Sequence, residues 1–428
     1  MAATRNVLVG IALLTAAFAA LPVDAQTSRS GGDRERRGQQ QEAPKMFPNS
    51  TREVEEGRVS SRMQRQVNSM IEALNDDEDP ARAREIADEI LANERATAFE
   101  KAVAAQVAGS AAADMDDLPA SIEYLSRAVA ENALDNEAHY SAMQNLAVSQ
   151  LNNDDAPAAI ATLNQLIAET KTENAEIHYA LAGAYLQAEQ YPQGIEALKR
   201  AIGLAKEPKP QWQSLLMSAH LEAENPAEAI KVGEALLAQT PDDKRLILTL
   251  ASAYLDLEQT DKAITLLEGA RSRGLMTDAR DYQMLYSLYF NAEGQEKQVI
   301  AVINEGLQKG LLKRDLPTLQ ALAQAAYFAE DLPLAIATYK EAAALDPKGE
   351  TGLNLAKVLS GEGEDAAARD AAKAALAKGV SKPGDAWMVI ARSEAQLENT
   401  AGARAALQEA AKHAETREQA NRMLQQFR

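Results

Sequence analysis

Residues 245–267 read RLILTLASAYLDLEQTDKAITLL, and this stretch decides the fold. Ile247, Leu250, Ala251 and Tyr254 recur at three- and four-residue spacing, which places them on one face of a helix. Glu258-Gln259-Thr260 reads as a short polar turn. Ala263, Leu267 and Ala270 then mark one face of a second helix, with a small residue where the two helices approach closest. A lone helix pair cannot cover both of its apolar faces, so the pattern calls for neighbours of the same kind.

The rest of the chain supplies them. The small anchor before an aliphatic residue returns in Asn225-Pro226-Ala227-Glu228-Ala229-Ile230 and in Leu332-Pro333-Leu334-Ala335-Ile336. The anchors fall at Ala83, Ser121, Ala159, Gly194, Ala229, Ala263, Gln298, Ala335, Ala368 and Ala403, separated by 38, 38, 35, 35, 34, 35, 37, 33 and 35 residues. Gln298 is the one anchor that is not small. First helices precede them: His178, Leu181, Ala182 and Tyr185; Tyr282, Leu285 and Tyr289; Trp387, Ile390 and Ala391. Units close with Pro241 or Pro347, which cannot continue a helix. Others close with Gly274, Gly310 or Gly379 after a basic residue, expected in the left-handed cap conformation with Leu275, Leu311 and Val380 packing back.

This pattern resembles the tetratricopeptide repeat (TPR) family on Ile247, Leu250, Ala251, Tyr254, Ala263, Leu267 and Ala270, on His178, Leu181, Ala182, Tyr185, Gly194, Leu198 and Ala201, and on Trp387, Ile390, Ala391, Ala403, Leu407 and Ala410. The likeness runs from about Ser60 to Ala414 and is weakest around Ala83 and Ser121. The expected fold is all-α: an α-solenoid of about ten antiparallel helix pairs over 51–412, closed by a capping helix over 413–428 through Met423, Leu424 and Phe427. The resemblance implies a right-handed superhelix with a concave groove. Composition agrees, since 46% of residues are apolar and only 4% aromatic, leaving a core of Ala, Leu and Ile.

The N-terminus carries an address. Arg5 precedes the apolar run Val7 to Ala20, Leu21-Pro22 breaks it, and Val23-Asp24-Ala25 offers small residues for cleavage after Ala25. Residues 1–25 are therefore expected to be a signal peptide. An uncleaved anchor is the alternative, but the run is shorter than the roughly 20 apolar residues a spanning helix needs. Gln26 to Ser50 is polar and irregular and is expected to be a disordered linker. The expected location is periplasmic, with secretion as the alternative and no membrane insertion after signal removal. The net charge of −19 and a residue-51-to-428 charge of −21 disfavour nucleic acid and anionic lipid, whose phosphates need Lys and Arg. The absence of cysteine removes disulfides, thiolate nucleophiles and cysteine-bound metals.

Chemistry-bearing motifs are lacking. His139, His178, His220 and His413 form no His-x-x-x-His pair, and His178 and His220 stand where sister units place core residues. Ser360-Gly361-Glu362-Gly363 lacks the strand-to-helix setting of a nucleotide loop. The acidic clusters at Asp76–Asp79, Asp114–Asp117 and Asn152–Asp155 lack the glycine and glutamate of a calcium loop, and read as helix N-caps. No enzyme activity, cofactor or metal is expected.

In TPR proteins the first-helix residues that do not face the core line the groove. By that resemblance the groove here presents Gln144, Tyr179, Ser214, Ser218, Arg245, Leu248, Ser252 and Leu255, followed by Arg280, Gln283, Ser287, Phe290, Gln320, Gln324 and Tyr327. Hydroxyls, amides, two arginines and apolar steps suit a peptide held by side-chain hydrogen bonds and shallow pockets. The basic and amide set that clamps acidic peptide termini in some TPR domains is not present. The expected function is a non-enzymatic protein–protein interaction scaffold of the bacterial cell envelope. The alternative is an accessory subunit that docks polysaccharide or peptidoglycan enzymes.

Overall fold

The computed structural model describes residues 45–54, 57–76, 78–207 and 209–426. The expected signal peptide, 1–25, lies outside the described residues, as does most of the linker. Among the described residues every regular element is a helix and there is no strand. The helices pair as α1 (Gln64–Asn75) with α2 (Pro80–Ala92), α3 (Ala98–Asp114) with α4 (Leu118–Ala130), α5 (Asn136–Asn152) with α6 (Ala156–Thr170), α7 (Ala175–Gln187) with α8 (Tyr191–Leu204), and α9 (Pro210–Glu222) with α10 (Pro226–Gln239). They continue as α11 (Lys244–Asp256) with α12 (Thr260–Ser272), α13 (Ala279–Asn291) with α14 (Glu296–Gln308), α15 (Leu316–Phe328) with α16 (Leu332–Leu345), α17 (Glu350–Gly361) with α18 (Asp365–Lys378), and α19 (Pro383–Gln396) with α20 (Thr400–Ala410). A last helix, α21 (Arg417–Gln426), follows. The chain is an all-α helical-repeat solenoid whose contacts divide it into two compact units between Gln239 and Thr240, the first holding α1–α10 and the second α11–α21.

Each even-numbered helix buries its anchor together with the residues four and seven positions later, as a 3.6-residue period requires. Ala263, Leu267 and Ala270 are 0, 0 and 3% exposed, and Ala159, Leu163 and Leu166 are all 0%. A fully buried leucine here contributes about 1.5–3 kcal/mol relative to leaving it exposed. Ser121 is also fully buried, and its hydroxyl is satisfied by Ser149 Oγ at 2.9 Å.

The turn within each pair repeats a backbone event. Glu78, Asp116, Asp154, Glu189, Glu224, Glu258, Glu330 and Glu398 adopt positive φ, each five residues before its anchor, and Gly363 stands in the same place. The next residue sends its N–H back over the last turn, as Asp155 does to Gln150 O at 2.8 Å and Gln259 to Tyr254 O at 2.8 Å. That same residue then begins the second helix. Asp79, Asp117 and Asp155 accept the N–H of Arg82, Ala120 and Ala158 at 3.0, 3.3 and 3.1 Å, so their acidic clusters hold N-caps.

This register corrects one anchor. Gln298 is exposed, whereas Val299 is 0% exposed and lies five residues after Gly294, where φ is +74°. The connection from α13 to α14 runs from Ala292 to Gln295, one residue longer than that from α11 to α12, with Ala292 extended at ψ 127°. The extra residue shifts α14 by one position against the spacing set by α13.

Residues 45–50 fall within the stretch expected to be linker, yet Phe47 is 2% exposed and joins the core around Tyr140, Met143 and Leu166. Within the stretch 413–428, expected as a capping helix, α21 spans Arg417–Gln426, with Ala420 buried and Met423 and Leu424 packed against the core of the second unit; Phe427 lies outside the described residues.

Candidate functional site

In the second unit the odd-numbered helices bury one face and expose another. Ile247, Leu250, Ala251 and Tyr254 of α11 are buried, as are Tyr282, Leu285, Tyr286 and Tyr289 of α13 and Leu319, Leu322, Ala323 and Ala326 of α15. The tyrosine hydroxyls are anchored to even-numbered helices: Tyr289 donates to Glu268 at 2.8 Å and Tyr282 to Glu305 at 2.9 Å. Burial, with the Glu268 contact, pushes Tyr289 up to about 12, so its hydroxyl stays protonated and structural. Arg271 closes this network, reaching Glu268 at 2.7 Å and Glu305 at 2.6 Å.

The opposite stripe carries the predicted groove residues. Arg245, Ser252, Arg280, Gln283, Ser287, Phe290, Gln324 and Tyr327 are exposed, and Leu255 is half-buried. Phe290 is 37% exposed and Tyr327 43%, values that exclude a core role. Phe328, missed by the sequence pattern, is 59% exposed with its ring 5.5 Å from that of Tyr327. Ser252 turns its hydroxyl onto Leu248 O at 3.1 Å, and Gln320 is committed to Thr351 Oγ1 at 2.8 Å, tying α15 to α17. Leu255, Phe290 and Tyr327 occupy equivalent places near the ends of three successive odd-numbered helices, so the apolar steps form a series.

The same register continues to Lys357 on α17 and Arg392 on α19, both exposed. Sequence reasoning stopped at Tyr327, although the 33- and 35-residue anchor spacings led from Gln324 to both. Lys357 pairs with Asp385 at 2.8 Å. A cavity of about 440 Å³ lies beside them, lined by Ser360, Asp365, Gln396 and Met423 among others.

Tyr179 and Ser218 belong to the first unit. Tyr179 on α7 is half-buried and stacks on Trp212 of α9, with centroids 4.7 Å apart and planes inclined by 11°. Lys209 sits 4.2 Å from the centre of the Trp212 ring and pairs with Glu176. Tyr179 therefore packs one repeat against the next, and Ser218 is half-buried. The first-unit histidines are packed. His178 shares a hydrogen bond with Thr172 O at 3.1 Å, and His220 is 4% exposed. Burial and then the charge of Arg52 draw His139 down to about 4. No cluster of three or more metal-binding side chains occurs among the described residues, and no described helix is long and apolar enough to cross a membrane.

Two family models match, each described as tetratricopeptide repeat: one over residues 153–217 and 220–288, the other over 107–174 and 353–419. No curated protein sequence matches. Solved structures that resemble the chain include MamA from Desulfovibrio magneticus RS-1, at 17% identity and a TM-score of 0.37, covering 44% of this chain and 99% of that one. A tetratricopeptide repeat protein from Parabacteroides merdae ATCC 43184 matches at 13% identity and a TM-score of 0.39, covering 62% of this chain and 99% of that one. A repeat-containing protein from Cytophaga hutchinsonii matches at 12% identity and a TM-score of 0.40, covering 66% and 95%. Ten helix pairs in one register among the described residues and family matches over 107–217, 220–288 and 353–419 agree: the chain belongs to the tetratricopeptide repeat family, whose repeats make it a protein–protein interaction scaffold.

Proposed function

We propose that the protein is an exported, non-enzymatic scaffold of the bacterial cell envelope that holds a peptide segment of its partner along the odd-numbered helices of the second unit. The observation that carries this reading is the series Leu255, Phe290 and Tyr327, beside the hydrogen-bonding residues Ser287 and Gln324. Two aromatic rings left in solvent at equivalent places of neighbouring repeats favour burial by a partner. The flanking hydroxyl and amide suit side-chain hydrogen bonds to that partner, and Arg245 and Arg280 add charge at the start of the stripe. Export rests on residues 1–25 of the sequence. The glycan alternative gains no support from the two tryptophans, since Trp212 is 4% exposed and Trp387 is half-buried.

In vivo crosslinking with mass spectrometry, run from positions 287 and 324, identifies the partner. The Arg245→Glu, Phe290→Ala double variant is expected to lower its capture by about tenfold, the loss of one aromatic anchor and one charge. Undiminished capture refutes the groove assignment. A cell-fractionation experiment that finds the chain in the cytoplasm with Met1 to Ala25 intact refutes export separately.

A further inference from the structure

Residues 45–54 cross the α4–α6 region with no helix or strand of their own. Two side chains hold them. Phe47 is buried with its ring 5.4 Å from Tyr140, and Arg52 makes four hydrogen bonds: Nε to Asn132 Oδ1 at 2.7 Å, Nη1 to Leu134 O at 2.9 Å and Asn136 Oδ1 at 3.0 Å, and Nη2 to Asn132 O at 2.9 Å. A guanidinium there satisfies carbonyls left over beyond the end of α4. The array also grips the backbone of the segment. The Glu137 carboxylate accepts the consecutive N–H groups of Met46 and Phe47 at 2.9 and 3.1 Å. Asn136 donates to Ser50 Oγ at 2.9 Å and to Arg52 O at 3.0 Å, and Thr51 N donates to Glu169 O at 3.3 Å. Between the anchors, Pro48, Asn49 and Thr51 are exposed, as is Met46 before them.

Main-chain hydrogen bonds plus two side-chain anchors are how a protein reads a peptide ligand. We propose that α4–α6 form a docking site for an extended protein segment bearing an aromatic residue and, five positions later, an arginine, and that residues 46–52 occupy it in cis until a partner's segment displaces them. The proposal is independent of the groove in the second unit. A tethered occupant competes at high effective concentration, so the seat is tested after it has been vacated.

The probe is a fluorescein-labelled peptide of residues 45–54, KMFPNSTREV, read by anisotropy against the full chain and its Phe47→Ala, Arg52→Ala double variant. The vacated chain is expected to bind at least about tenfold more tightly than wild type. The same peptide with both anchors replaced by alanine is expected to lose binding, and Glu137→Gln added to the vacated chain to weaken it. Equal binding by wild type and vacated chain overturns the proposal, as does equal binding of the anchorless peptide. Should the double variant not keep the wild-type circular dichroism spectrum, Arg52→Ala alone, which retains Phe47 in the core and empties only the arginine seat, serves with a smaller expected gain of a few-fold, and equal binding by wild type and this variant again overturns the proposal. A wild-type dimer in light scattering that becomes monomeric in the variant places the segment of a second copy in the seat and overturns the cis arrangement.

Discussion

Replacing Gly349 with alanine tests how closely the start of α17 packs on the end of α18. Gly349 precedes α17 with φ at +81°, and a Cβ built on it lies 2.6 Å from Ala375 O and 3.0 Å from Lys378 Cβ, both on α18. The obstacle is backbone, so no side-chain rotation relieves it. The loop is also tied down elsewhere. The Asp346 carboxylate accepts Lys348 N at 2.8 Å and Thr351 N at 2.7 Å, and Lys378 Nζ donates to Ala343 O at 2.6 Å and Asp346 O at 2.9 Å. A left-handed alanine costs about 1–2 kcal/mol. The shift that clears the contact costs a further 1–3 kcal/mol or so. The stiffer unfolded chain returns about 0.4–1 kcal/mol. The net expectation is a loss of about 2–4 kcal/mol. Gly363→Ala is the control: its φ is +74°, but nothing lies within 4 Å of the added Cβ. Only the conformational cost then applies, for a net loss of about 0.5–1 kcal/mol. Because repeat arrays unfold in segments, the assay is native-state hydrogen exchange of amides in α16–α18, backed by urea unfolding of the full chain. Equal loss of protection in the two variants refutes the close approach of Gly349 to α18.

Ala263→Leu forces a larger side chain into the fully buried contact between α11 and α12 and is expected to cost about 1–3 kcal/mol; a thermal melt matching wild type contradicts the anchor assignment. Val299→Ala is expected to cost about 2 kcal/mol by opening space at a fully buried site, while Gln298→Ala stays within about 0.5 kcal/mol; the reverse order in urea unfolding restores Gln298 as the anchor. His139 titrates near 4 in the folded chain and near 6.5 when unfolded, so the unfolded state takes up the extra proton between these values. Stability therefore falls as pH drops from about 6.5 towards 4. His139→Gln is expected to narrow the gap between urea midpoints at pH 7 and pH 5, and an unchanged gap rules this histidine out as a cause.

The second helix of each pair was legible because one stripe does one thing: Ala263, Leu267 and Ala270 face a neighbour at every step, so burial and composition coincide. The groove was legible in part. Tyr179 and Phe290 come from the same kind of helix and the same sequence argument, but their surroundings differ. The next repeat brings Trp212 over Tyr179, and the two rings cover each other, while Phe290 remains 37% exposed. Helix periodicity tells which residues miss their own partner helix; it does not tell whether the following repeat covers them. Phe47 and Arg52 gave no periodic signal. Their partners, from Asn132 to Leu166, lie 80 or more residues away in sequence, and most of the side chains between Phe47 and Arg52 face solvent.

What recurs most faithfully from pair to pair is a backbone event and not a residue type. Glutamate, aspartate and glycine all take the left-handed position five residues before the anchor. The anchor itself is alanine, serine, glycine or valine. The reason is mechanical. A left-handed residue reverses the chain and lets the residue after it close the first helix and open the second, and this step recurs whichever side chain fills the gap at the anchor. The longer connection between α13 and α14 supports this, because its extra residue is absorbed as extended backbone at Ala292 while Gly294 keeps the left-handed place. α14 is thereby restored to register, with Val299, Ile303 and Gly306 buried like their counterparts. An array held by its turns leaves the exposed face of its odd-numbered helices under little structural constraint, and that is where Ser287, Phe290, Gln324 and Tyr327 stand.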